Sequence, residues 1–152
     1  MTTPLYESWL KRYTLYFAWI VTLVATGGSL YFSEIKGFLP CDLCWYQRIF
    51  MYPQVIILGI ATYRGDRNII KYLLPINIIG LAISIFHNFE IWFPKVGELV
   101  PCRSGIPCNF DYLNWFGFLT IPMMAMIAFV LIIVFLLLAR QSNESEANED
   151  EN

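Results

Sequence analysis

Along this chain, long apolar runs alternate with short polar ones, and the runs have the length of membrane-crossing helices. Four of them, 13–32, 47–63, 69–92 and 116–139, hold few charges. Each approaches or meets the roughly 17 to 25 residues that a helix needs to cross a hydrocarbon core. The second is the shortest and the third carries Asn77, Ser84, His87 and Asn88, so these two have the least sharp ends. Pro53, Pro75 and Pro122 fall inside the runs, which membrane helices tolerate when neighbours satisfy the freed carbonyls. The small cluster ATGGS at 25–29, with Gly59 and Gly80, is expected to let helices approach closely. The pattern predicts an all-α protein, a polytopic membrane four-helix bundle forming one unit over 1–140, with two short cysteine-bearing loops on one side. After it comes QSNESEANEDEN, 141–152, with almost nothing apolar to bury and an expectation of disorder.

Composition strengthens the membrane reading. The 152 residues are 57% hydrophobic and only 14% charged, with a mean hydropathy of +0.54, well above a soluble domain. The net charge of −2 argues against a nucleic-acid partner, and five of the twelve acids crowd into the tail. The first apolar run follows Lys11 and Arg12 without a small-residue cleavage pattern, so it is expected to remain as an anchor.

Basic residues set an expected orientation. With the N-terminus inside, the inner segments hold Lys11, Arg12, Arg64, Arg67, Lys71 and Arg140, against Lys36, Lys95 and Arg103 outside. Short cytoplasmic loops keep Lys and Arg, so both termini are expected inside. Trp45, Tyr46, Trp92, Phe93, Tyr112, Trp115 and Phe116 then gather at the outer ends, where amphipathic rings prefer the headgroup level.

On this topology all four cysteines, Cys41, Cys44, Cys102 and Cys108, lie in the two outer loops. Close pairs on an oxidising face read first as disulfides, and pairing within each loop is the simplest of three connectivities. Structural staples are one reading, but such short loops stabilise less than the typical ~2 to 4 kcal/mol. A zinc site of four thiolates is another, which an oxidising face disfavours, and no metal is expected. Redox exchange fits the Cys-x-x-Cys spacing best.

In PCDLCWYQR, 40–48, Asp42 is an expected N-cap, which places Cys44 in the first turn of the second helix, where free N–H groups and the macrodipole favour an anion. Arg48 lies one turn deeper on the same face. Both are expected to lower the Cys44 pKa. An arginine so near lipid is a functional candidate, able to hydrogen-bond the carbonyl oxygen of an apolar electron acceptor. His87, with Glu90 three residues on, is a candidate donor to the same acceptor, against the reading of an ordinary packed histidine.

PCDLCWYQR at the head of the second span, a second cysteine pair in the second outer loop and NWFGFLTIP opening the fourth span resemble the DsbB/BdbC disulfide bond formation proteins. The likeness covers nearly the whole chain except the tail. Only RSGIP separates Cys102 from Cys108, which resembles the BdbC-type branch. The resemblance implies a quinone-dependent thiol oxidase of the bacterial cell membrane. Its partner would be a thioredoxin-like extracytoplasmic thiol oxidase of the DsbA or BdbD kind, and its electron acceptor ubiquinone or menaquinone. It implies that the reduced partner attacks Cys102 of a Cys102–Cys108 disulfide. Electrons then pass to a Cys41–Cys44 disulfide and on to quinone, with Cys44 against the ring and Arg48 and His87 contacting it. No flavin, dinucleotide or haem motif offers another electron sink. The competing class is a disulfide-stapled four-span scaffold, whose function would survive loss of Cys44.

Overall fold

The computed structural model describes the backbone of residues 4–93 and 120–150, and side chains over 13–93 and 120–141. Helix α1 is Pro4–Leu30, continuing into a wide π turn at Tyr31–Ile35. Helices α2 (Asp42–Arg64), α3 (Ile70–Trp92) and α4 (Ile121–Asp150) follow. The described residues are all helical apart from turns, with no strand among them. Each helix packs on its neighbours in chain order and α4 closes the ring against α1, giving a four-helix bundle.

The core is Leu15 and Ala18 of α1, Met51 and Leu58 of α2, Ile70 and Leu73 of α3, and Ala128, Phe129, Ile132, Leu136 and Ala139 of α4. Its closest approaches need glycine. A Cβ at Gly80 would lie 2.6 Å from Phe129 Cζ, so any larger residue there would force the buried Phe129 ring to shift. A Cβ at Gly59 would come 3.0 Å from Trp19 Nε1, the same nitrogen that donates to the Val55 carbonyl at 2.9 Å and ties α1 to α2. The ATGGS cluster behaves otherwise: a Cβ at Gly27 or Gly28 would meet no atom within 4 Å, so these two make no close helix contact.

Polar groups turn inward and apolar ones outward, the reverse of a water-soluble bundle. Thr22, Gln54, Asn77 and Ser84 are buried, whereas Val24, Ile56, Ile60 and Ile78 are exposed. Gln54 and Asn77 exchange both side-chain amide bonds, at 3.2 and 2.9 Å, across the α2–α3 contact. Interhelical hydrogen bonds of this kind hold membrane bundles together where no hydrophobic force does. They also explain how the third run carries Asn77 without a break.

Three helical segments are long and apolar enough to cross a membrane: Tyr13–Ile35, Ile70–Trp92 and Ile121–Gln141. The second run, expected to cross at 47–63, is helical but falls outside these three, because α2 carries Gln47, Arg48, Gln54 and Thr62, three of them buried. Beyond Arg140, where disorder is expected, the backbone continues as helix to Asp150. No proline or glycine interrupts 141–150, and a formed helix propagates at less cost than it nucleates. Residues 116–119 of the expected fourth span lie outside the described residues.

Candidate active site

At one end of the bundle α1 widens into its π turn and stops at Gly37, whose φ of 69° lies in the left-handed region that glycine adopts at no steric cost. Phe38, Leu39 and Pro40 lead directly into α2. Cys41, not the expected Asp42, is the N-cap: it has an extended backbone and its sulfur accepts from the Cys44 N–H at 3.4 Å. The helix therefore begins at Asp42, and one of the orphan donors of its first turn, the Cys44 N–H, points at Cys41 Sγ.

Cys41 and Cys44 are unbonded thiols with sulfurs 3.2 Å apart. His87 of α3 reaches across the bundle, placing Nε2 3.7 Å from Cys41 Sγ. Its other ring nitrogen, Nδ1, lies 3.1 Å from Gln47 Nε2. Two sulfurs this close hold one proton between them, and the surroundings place the negative charge on Cys41. The Cys44 thiol donates to it, and the His87 ring and the Cys44 N–H add to the effect, together outweighing burial and bringing Cys41 down to about 4. The same hydrogen bond, with burial and the neighbouring thiolate, pushes Cys44 up, and the Arg48 charge only partly opposes this. The sequence expectation of a Cys44 thiolate is thus corrected for the free dithiol. The helix end serves the capping sulfur, and the histidine that decides between the two comes from a distant part of the chain.

Arg48 sits as expected one turn below. Its Nη2 donates to the Ser29 carbonyl at 3.5 Å, near the end of α1 where the macrodipole favours a cation. Its guanidinium lies 5.5 Å from the Trp45 ring centroid. Tyr52 donates to Ser29 Oγ at 3.1 Å, fixing the same corner.

These groups border an apolar cavity of about 460 Å³. Gly28, Ser29 and Phe32 of α1, Met51 of α2, and Pro122 and Ala125 of α4 form much of its wall, and Cys41, Cys44, Gln47, Arg48 and His87 supply its polar edge. Gly28 thus leaves room rather than making contact. Ile20 and Val24 of α1 and Ile127 and Leu131 of α4 line the cavity and are also exposed, so it opens sideways onto the apolar exterior between α1 and α4. The sulfurs and the His87 ring also converge as potential metal donors, all within 4.8 Å of one another.

The structure brings together four of the six expected site residues, Cys41, Cys44, Arg48 and His87. Cys102 and Cys108 lie outside the described residues. Gln47 is an addition: glutamine beside an arginine has no sequence signature, and only the fold shows that it faces His87. Glu90 is buried as deeply as His87, with both carboxylate oxygens lacking a hydrogen-bond partner, so the shared face expected of the two does not become a hydrogen bond.

A helical bundle with an apolar exterior, carrying an asymmetric dithiol at the lip of a cavity open to that exterior, defines a membrane thiol–disulfide exchange protein. The family model described as "Disulfide bond formation protein DsbB" matches residues 11–139, and the chain belongs to that family. Membership makes it a multi-pass membrane oxidoreductase acting in disulfide formation. It is 58% identical over 126 residues to "Disulfide bond formation protein C" of Bacillus subtilis, covering 83% of this chain and 91% of the relative. It is 50% identical over 124 residues to "Probable disulfide formation protein C" of Bacillus cereus, covering 82% and 89%. With "Probable disulfide formation protein" of Coxiella burnetii it shares 44% over 131 residues, covering 86% and 89%. No solved structure matches the chain.

Proposed function

We propose that the protein reoxidises a thioredoxin-like extracytoplasmic dithiol oxidase and passes the electrons through its two cysteine pairs to membrane quinone. The observation that carries this reading is the cavity: apolar, open toward lipid, and edged by both sulfurs, a guanidinium and an imidazole. Those residues fit a quinone headgroup, which needs apolar walls for its ring and hydrogen-bond donors for its carbonyl oxygens. A quinone bound there supplies the two-electron sink for dithiol oxidation, taking up two electrons and two protons as it becomes quinol.

The partner's thiolate opens a Cys102–Cys108 disulfide, and the freed thiols reduce a Cys41–Cys44 disulfide in turn. Attack on Cys41 expels Cys44 as thiolate. With Cys41 bonded, the neighbouring charge and the shared hydrogen bond that raise Cys44 are gone, and Arg48 remains beside it to hold its negative charge. Returning the pair to a disulfide releases two electrons and two protons. Arg48 and His87 orient the acceptor's oxygens, and the apolar wall excludes water. The cysteine loops face outward and both termini inward, as the distribution of basic residues suggests.

The test is a quinone-reduction assay on the detergent-solubilised protein with a reduced thioredoxin-like oxidase as donor. The parent should turn over and Cys44→Ser should not. Arg48→Ala should raise the KM for quinone about tenfold or more, the scale of a lost charge-assisted hydrogen bond. Full turnover in Cys44→Ser would instead mark the cysteines as staples.

A further inference from the structure

The convergence of Cys41, Cys44 and His87 has a use beyond electron transfer. We propose that the reduced dithiol and His87 Nε2 form a three-donor site for a thiophilic divalent cation of the zinc type, present only when Cys41 and Cys44 are reduced. Two thiolates and an imidazole are a donor set that zinc uses in sites keeping one position open.

The distances fit. A tetrahedral zinc ion about 2.3 Å from each sulfur and about 2.0 Å from nitrogen holds its sulfurs roughly 3.8 Å apart and sulfur from nitrogen roughly 3.5 Å. Here the sulfurs are 3.2 Å apart, Cys41 Sγ is 3.7 Å from Nε2 and all three donors lie within 4.8 Å of one another, so a shift of Cys44 Sγ on the order of an ångström, away from Cys41 and toward His87, admits an ion. Cys44 is the less buried of the two residues and borders the cavity, which leaves it room to move.

The surroundings complete the site. Metal-bound histidines usually donate their second ring N–H to a fixed acceptor. Gln47, buried and 3.1 Å from Nδ1, becomes that acceptor when its amide turns to present Oε1, an orientation the ring's tautomer selects. Nε2 then offers its lone pair on the side of the sulfurs. The fourth position faces the cavity. Arg48 is engaged with the Ser29 carbonyl and the Trp45 ring.

Binding displaces the thiol proton of Cys44 to water and changes no oxidation state. Oxidation to the disulfide removes both thiolates and with them the site. A bound ion would hold the pair reduced and obstruct the cavity edge. That consequence for turnover rests on the proposed quinone reaction, whereas the binding itself does not.

The test is anaerobic titration of Cd²⁺, a spectroscopic stand-in for Zn²⁺, into the reduced full-length Cys102→Ser/Cys108→Ser protein in detergent, followed by the ultraviolet thiolate-to-cadmium band. The expected result is one Cd²⁺ per chain, displaced by Zn²⁺, with no band after oxidation. His87→Ala should weaken binding at least about tenfold, and Gln47→Leu, which leaves all three donors in place, by about tenfold at unchanged band intensity. His87→Cys should restore the affinity with a stronger band. Absence of saturable binding in the parent, or an affinity unchanged in His87→Ala, overturns the proposal. No quinone enters the measurement, so its failure is distinct from failure of the quinone reading.

Discussion

The asymmetry of two chemically identical thiols is set by what surrounds each sulfur. Cys41 receives the Cys44 thiol proton, the His87 ring and the Cys44 N–H, whereas Cys44 is held protonated by the same sulfur–sulfur hydrogen bond, by burial and by the neighbouring thiolate. Cys41 is therefore held at about 4 against an ordinary thiol value of 9.0. Between those pH values the unfolded chain binds a proton at Cys41 that the folded chain does not, so stability of the reduced form rises with pH across the window and is lost as pH falls toward 4. Cys44, raised in the fold, contributes in the opposite sense: its share is present below 9.0 and lost above it. Thermal unfolding of the reduced protein in detergent should accordingly peak near pH 9. The thiolate absorbance of Cys41 should titrate well below an ordinary thiol, and Cys44→Ala, which removes the largest cause, should move it upward. The residue types were legible in PCDLCWYQR, and Arg48 falls where its spacing suggests. The charge assignment was not, because it depends on His87, 46 positions away in sequence, and on a cap one residue earlier than Asp42.

At the scale of helices, the bundle is joined by a few specific contacts in an otherwise apolar interior. Gln54 and Asn77 each keep a local bond, to the Phe50 carbonyl at 2.7 Å and the Leu73 carbonyl at 2.8 Å, in addition to their mutual pair. Removing one partner strands the other's amide oxygen in the core. Gln54→Leu should cost about 1 kcal/mol or somewhat more, while Gln54→Leu with Asn77→Leu should cost less than the two single changes summed. Calorimetric or chemical unfolding of the four proteins in one detergent measures this directly. Apolar run length made all four helices readable, to within a few residues for the ends that border the α2 and α3 runs. Two features were hidden. The inward direction of the α2 polar residues lowers its apolarity below that of its neighbours without ending the helix. The continuation of α4 to Asp150 shows that a segment too polar to pack can still extend a helix that packing has nucleated.

For the molecule as a whole, the described residues form a bundle whose apolar outside, inward-turned polar side chains and side-opening cavity suit a bilayer. Membrane-impermeant thiol reagents added to intact cells after gentle reduction should label the cysteines. Labelling only after the membrane is opened would reverse the orientation inferred from Lys and Arg. What sequence could not supply at this scale is the cavity itself, since its walls come from α1, α2, α3 and α4 and no single run marks them. In the proposed function Cys41 and Cys44 give their electrons to an acceptor in that cavity. This transfer is tested most directly by a single turnover: the Cys102→Ser/Cys108→Ser protein, reduced, freed of reductant and held without oxygen, is mixed with one equivalent of quinone. One quinone per chain should become quinol as two thiols per chain disappear, and Arg48→Ala should slow the step. Quinone left unchanged beside intact thiols would contradict it.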